Sequence, residues 1–246
     1  MLVIGFVAGF ASGAFGIGGG VVMVPALVLI CRYEIKKAIG ISLATIVPTA
    51  LVGALTHYLI CSSNIEFPVV LLVSPGAIAG AWVGARLGNR LSSRLLSGLF
   101  ALFLTFVGLK LMGIVRLPIS VLSSTAVHPG LVLLGLAAGV CSALLGIGGG
   151  VVMVPFLNLL FGLGIHEAIA TSLTIVVPTT FAGAVFHRRL NNLDAGPLKY
   201  LVPAAFLGVI LGAVTANCLS QEVLKVAFGV LMVLCSVKLF LEKKHL

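Results

Sequence analysis

Few residues in this chain of 246 could do chemistry with their side chains. Asp194 is the only aspartate, and no acidic residue lies deep in an apolar stretch. No nucleophile stands with a base, no carboxylates are paired, and no His or Cys set has zinc-ligand spacing. This argues against an intramembrane enzyme, a resident metal or cofactor, and a cation carrier built on buried carboxylates. His57 and His187 stand at the ends of apolar, proline-containing stretches and could titrate and move protons; anchoring at the membrane interface is the alternative. Lys110 and Lys238 lie near the ends of apolar stretches, where a long side chain reaches the polar boundary. The five cysteines, Cys31, Cys61, Cys141, Cys218 and Cys235, form no CxxC pair and read as packing residues.

What remains is the chemistry of backbone N–H groups and hydroxyls. The run GIGGGVVMVP occurs twice without change, at Gly16 to Pro25 and at Gly146 to Pro155. Each glycine costs about 1 kcal/mol relative to alanine inside a helix, so four in five positions favour a break. Pro25 and Pro155 lack an N–H and start the next helix irregularly. A helix beginning at Gly18, Gly19 and Gly20, or at Gly148, Gly149 and Gly150, presents free N–H groups and partial positive charge to an anion. Close packing of helices without a ligand would use the same glycines, and both readings stand at this point. A nucleotide loop is disfavoured, because the run has neither GK[ST] nor GxGxxG.

The second candidate region is SLATIVPT, Ser42 to Thr49, matched by SLTIVVPT, Ser172 to Thr179. Pro48 and Pro178 free the carbonyls of Ala44 and Thr174. Ser42, Thr45, Thr49, Ser172, Thr174 and Thr179 place hydroxyls in the same two turns, and hydroxyls can donate to a small oxyanion without the cost of burying a lysine or arginine. The alternative is that they bond back to their own helix and repair the proline kink.

These residues must be positioned by membrane helices. The chain is 60% hydrophobic and 9% charged, with a mean hydropathy of +1.27, far more apolar than a soluble domain. Ala38 to Ile60, Val69 to Ala85, Leu95 to Val115 and Val223 to Leu241 have about the length that spans a bilayer. The net charge of +9 lies in small groups at the ends of apolar segments, a loop pattern rather than a nucleic-acid stripe. The N-terminal MLVIGFVAGF lacks a charged leading region and has a counterpart at Leu131 to Val140, so it is expected to be structure rather than a signal peptide. Gly76, Gly80, Gly84 and Gly88 make a flat face for a neighbouring helix.

Gly9 to His57 aligns with Gly139 to His187 without a gap, and Asn64, Pro75, Gly80, Gly84, Asn89 and Lys110 match Asn192, Pro203, Gly208, Gly212, Asn217 and Lys238. We therefore expect an all-α integral membrane protein of two homologous repeats, 1–116 and 131–246, joined by the linker 117–130 into one transmembrane domain. If Met1 to Ile30 is a broken hairpin that enters and leaves on one side, every loop cation except Arg116 and Lys225 falls on one side of the membrane. That charge pattern favours inverted repeats, each with a Gly-rich re-entrant hairpin and three transmembrane helices.

The repeated pattern GxxSxxxGIGGGxxMVPxL, then AIxxSLxxxxPTxxxGAxxH, resembles the TauE/SafE family of sulfite and sulfonate exporters over nearly the whole chain. Asn64, Ile65, Glu66 and Asn192, Leu193, Asp194 resemble the family's Asn-hydrophobic-acid step. One departure is that Arg188 and Arg189 follow His187 whereas Tyr58 and Leu59 follow His57. The resemblance implies a multi-pass inner-membrane transporter of small sulfur or organic anions: sulfite, thiosulfate, sulfoacetate or related sulfonates and carboxylates. The expected partners are that anion, the lipid bilayer and a second copy in a homodimer, and no nucleic acid. We expect alternating access, with the glycine breaks and the Ser and Thr hydroxyls forming a cage near the bilayer centre. An anion-binding sensor or scaffold, or an anion channel, is the alternative, and a flux assay separates them.

Overall fold

The structure, a computed structural model, describes residues 1–60, 64–87, 124–159 and 161–242, with residues 102, 105, 106, 108, 109, 112 and 113. Among them are nine helices: α1 Leu2–Phe15, α2 Gly20–Leu29, α3 Ile35–Leu59, α4 Phe67–Leu87, α5 Ser124–Leu145, α6 Gly150–Leu159, α7 Ile165–Arg189, α8 Leu198–Cys218 and α9 Gln221–Glu242. The order α1 to α4 recurs as α5 to α8. Most of the expected span Leu95 to Val115 lies outside the described residues, as do Cys61, Gly88, Asn89, Arg90, Arg94, Lys110, Arg116 and the side chain of Lys238. The stretch expected as a linker, 117–130, is described only from Ser124, where α5 begins.

Helix α1 stops where the sequence places the glycine run. Gly16 adopts φ 68° and ψ 18°, and its N–H donates to Ser12 O, the left-handed glycine cap that ends many helices. Gly18 and Gly19 are also left-handed, with φ of 74° and 75°, as are Gly146, Gly148 and Gly149 in the second half. An L-residue at each would cost about 1–2 kcal/mol. The turn sends the chain back along α1: a Cβ on Gly19 would lie 2.4 Å from Ala8 O, and the Cys31 thiol lies 3.9 Å from Met1 Sδ. So α1 and α2 form a hairpin whose two ends meet.

Small residues then let helices of different halves touch backbone to backbone. Cβ atoms built on Gly5, Gly9 and Gly13 of α1 would fall 2.6, 2.2 and 2.1 Å from the carbonyls of Leu201, Ala205 and Val209 on α8. Gly76, Gly80 and Gly84 of α4 meet Val132, Leu136 and Val140 of α5 in the same way. The partner numbers rise together, so each pair runs in one direction. On the central pair the order reverses: Gly53 of α3 meets Leu173 of α7, and Gly183 meets Leu43, which makes these equivalent helices antiparallel. Their apolar windows are 67% and 61% buried, against 33% and 44% for α4 and α8, so α3 and α7 form the interior.

α3, α4, α7 and α8 are each long and apolar enough to cross a membrane. The outer surface carries side chains such as Val3, Leu71, Leu133 and Phe181 at 59–75% exposure. Water would not tolerate so extensive an apolar surface on a monomer, but hydrocarbon does.

Gly139→Ala and Gly183→Ala test the close contacts. At Gly139 the new methyl would lie 2.0 Å from Ala77 O, a backbone atom that cannot swing aside; at Gly183 the nearest atom is Leu43 Cδ1 at 3.1 Å, which can. Overpacking should destabilise the first variant by about 1–3 kcal/mol, whereas the second gains helix propensity and should melt near the parent temperature in detergent. Equal melting temperatures would contradict the packing described.

Candidate functional site

The two glycine breaks meet each other. A Cβ on Gly20 would lie 2.1 Å from Gly146 O, and one on Gly150 would lie 2.1 Å from Gly16 O. Gly16 to Gly20 and Gly146 to Gly150 are all buried. Gly18 and Gly148 lie between them, both against Ile46 and Val176, the matched positions of α3 and α7. In α2 the first helical hydrogen bonds run from the N–H groups of Val22 and Met23 to Gly19 O. The N–H groups of Gly20 and Val21 therefore have no intrahelical acceptor, and the helix start carries partial positive charge. Val152 and Met153 donate to Gly149 O in the same way.

Each break is held by a hydroxyl from the other half. Ser42 Oγ donates to Gly146 O at 2.8 Å, and Ser172 Oγ donates to Gly16 O at 3.1 Å. The other hydroxyls expected at the site turn back to their own helices. Thr45 donates to Ile41 O, Thr49 to Thr45 O, Thr174 to Ala170 O and Thr179 to Ile175 O, at 2.8–2.9 Å. In this conformation their hydrogens serve the backbone of the proline helices, and of the six hydroxyls expected at the site only those of Ser42 and Ser172 cross between halves. Pro25 and Pro155 lie inside α2 and α6 rather than in the breaks. Thr180, whose methyl group faces Gly148, escaped the repeat comparison because its counterpart is Ala50.

His57 and His187 are 0% and 6% exposed, which removes the anchoring reading. Their Nε2 atoms lie 2.8 Å from Gly13 O and 3.1 Å from Ala143 O, near the ends of α1 and α5. The Asn-hydrophobic-acid steps also seat across the halves. The Glu66 N–H donates to Thr171 Oγ1 on α7, and Gly40 of α3 packs on the carbonyl of Asn192. Tyr33, in the connection between α2 and α3, has its phenol raised above its ordinary pKa by burial and then by the Asp194 carboxylate. It therefore stays neutral at physiological pH.

A separate open cleft of about 720 Å³ lies at the ends of α4 and α7, where Trp82, Arg86, Phe186 and Arg189 line it. The Arg86 guanidinium sits 3.6 Å from the Trp82 ring centre, a cation–π contact. The cleft draws Trp82 and Arg86 from the first half and Phe186 and Arg189 from the second, and the matched positions Ile210, Val214, Thr56 and Leu59 carry no charge, so the basic cleft has no counterpart at the repeat-related place.

Ser42→Ala and Ser172→Ala test the reciprocal contact. Each leaves a buried carbonyl without its hydroxyl partner, at a cost of about 1–3 kcal/mol. Both variants should lower the unfolding temperature of the purified protein, and by similar amounts. A loss in one and none in the other would show that the two breaks are not held alike.

Comparison with known proteins adds a family. The profile described as "Sulfite exporter TauE/SafE" matches residues 1–111 and 131–246. A "Probable membrane transporter protein" of Haemophilus influenzae is 28% identical over 98% of this chain and 97% of its own length. The "Probable membrane transporter protein YdhB" of Bacillus subtilis is 29% identical over 92% of this chain and 94% of its own. YunE of the same organism, with the same description, is 27% identical over 98% and 97%. No solved structure matches the chain.

Proposed function

Because the chain belongs to the sulfite exporter TauE/SafE family, we propose that it carries small sulfur-containing or organic anions across the inner membrane by alternating access between two inverted repeats. Sulfite, thiosulfate, sulfoacetate and related sulfonates or carboxylates form the substrate class. The observation that carries the proposal is the contact between the two glycine breaks, each held by a serine of the other half. The antiparallel course of α3 and α7 supports the inversion, and the meeting of Met1 with Cys31 supports a re-entrant hairpin.

The conformation described is closed at the breaks. Opening requires Ser42 and Ser172 to release the carbonyls of Gly146 and Gly16, two hydrogen bonds worth about 1 kcal/mol each. Separation then frees the N–H groups around Gly18 to Gly20 and Gly148 to Gly150, which have no side chains to shield them, for an oxyanion. Ser42, Ser172 and the threonine hydroxyls can rotate from carbonyls to the ligand, because a hydroxyl redirects its hydrogen without moving the helix. Neutral donors suit a carrier: they attract an anion without holding it as a buried lysine would. Arg86 and Arg189, on the side expected to face the cytoplasm, raise the local anion concentration before binding.

Counterflow in proteoliposomes tests this reading. Vesicles preloaded with unlabelled thiosulfate or sulfite should take up the labelled anion faster than empty ones, with saturation. Binding without flux would favour a sensor or scaffold, and unsaturable conductance a channel; either result would overturn the carrier.

A further inference from the structure

Both halves bury a matched pair of polar atoms that find no protein partner: Ser12 Oγ and His57 Nδ1 in the first, Ser142 Oγ and His187 Nδ1 in the second. Each residue is at least nine-tenths buried. Buried polar atoms are nearly always paired, and orphans of the same type at matched positions of two repeats are not accidents of packing.

The geometry fixes the tautomer. A carbonyl can only accept, so the ring nitrogen facing Gly13 O at 2.8 Å, or Ala143 O at 3.1 Å, must carry the hydrogen. In the neutral ring Nδ1 is then a bare lone pair, sealed from water. We propose that each half carries a buried proton site, His57 in the first and His187 in the second, and that the protein moves its anion together with protons taken up there. This rests on the carrier reading above. When the site opens to one face, hydronium gives its proton to Nδ1, leaving water and an imidazolium; when it opens to the other, the imidazolium returns the proton to water.

The position suits a cation. Gly13 and Ala143 lie in the last turns of α1 and α5, where the carbonyl ends carry partial negative charge. The other side of each break is the positive start of α2 or α6. Proton and anion would sit on opposite sides of one break and offset each other's charge.

The surroundings contain few competing groups. Around His57, α1 has no titratable residue, α8 brings Lys199, Tyr200 and Cys218, and α7 brings Glu167 and His166, whose charge opposes that of His57. On its own helix α3, Lys36 and Lys37 stand at the far end. Around His187, α5 brings Cys141 among the described side chains, α4 brings Arg86, and α3 brings Lys36 and Lys37. Arg188 and Arg189 follow it on its own helix.

Histidine ¹⁵N NMR of the full-length protein in detergent tests the sites, with thiosulfate as the probe because its charge is constant near neutrality. Spectra of His57→Gln and His187→Gln assign the signals. At neutral pH without anion both rings should carry hydrogen on Nε2 alone, and saturating thiosulfate at the same pH should protonate Nδ1. Rings protonated on Nδ1 from the outset, or unmoved by thiosulfate, would overturn the proposal. In proteoliposomes an inward proton gradient should speed thiosulfate uptake several-fold. His57→Gln with His187→Gln, at normal folded yield, should abolish most of that acceleration; full acceleration in the double variant would count against the two rings as the proton sites. No thiosulfate flux at any gradient would count against the carrier reading, while the ring protonation decides the proton sites by itself.

Discussion

Inside a membrane every backbone N–H and carbonyl must find a partner within the protein or face a wet cavity. This chain interrupts two helices at the centre of its fold, and almost everything else follows from where the interrupted backbone goes. The carbonyls of Gly16 and Gly146 are met by Ser172 and Ser42. That exchange requires α3 and α7 to cross between the breaks, and it ties neither half to itself alone. The glycine faces that join α1 to α8 and α4 to α5 repeat the same rule at larger scale. Each half supplies what the other lacks, so the fold is held together across its own line of duplication.

This arrangement joins stability to movement. The contact between the breaks is backbone against backbone, fastened by two hydroxyls and enclosed by Ile17, Ile147, Ile46 and Val176, whose buried apolar area adds to what holds it closed. The surrounding helices are a different matter, since a methyl group at Gly139 would already strike Ala77 O. Each outer pair joins one helix from each half, so a movement that parts the breaks carries α1 together with α8 and α4 together with α5. The outer ends are not alike: Trp82, Arg86 and Arg189 line a basic cleft, where the matched positions are Ile210, Val214 and Leu59.

Much of this was legible in the sequence because glycine and proline carry their meaning locally. The end of α1 at Phe15 and the start of α2 at Gly20 follow from the run GIGGG, and the four-residue spacing of Gly76, Gly80 and Gly84 announced a close neighbour. The hydroxyls were not separable in this way. Ser42 and Thr45 lie within one turn and look equivalent in sequence, yet Ser42 reaches the other half while Thr45 bonds Ile41 O. Only the approach of the opposite break decides between them. For the same reason the burial of His57 and His187 could not be read from their place at the ends of apolar stretches, because the carbonyls that hold them belong to helices distant in the chain.

Hydrogen–deuterium exchange of the purified protein, with and without thiosulfate or sulfite, reads the central contact at the backbone itself. If the freed N–H groups of the breaks hold the anion, peptides covering Gly16 to Met23 and Gly146 to Met153 gain protection when it is added, while the glycine-packed outer pairs do not change. Saturable transport of the same anion with no change in those two peptides would place the binding site elsewhere and leave the glycine breaks as packing alone.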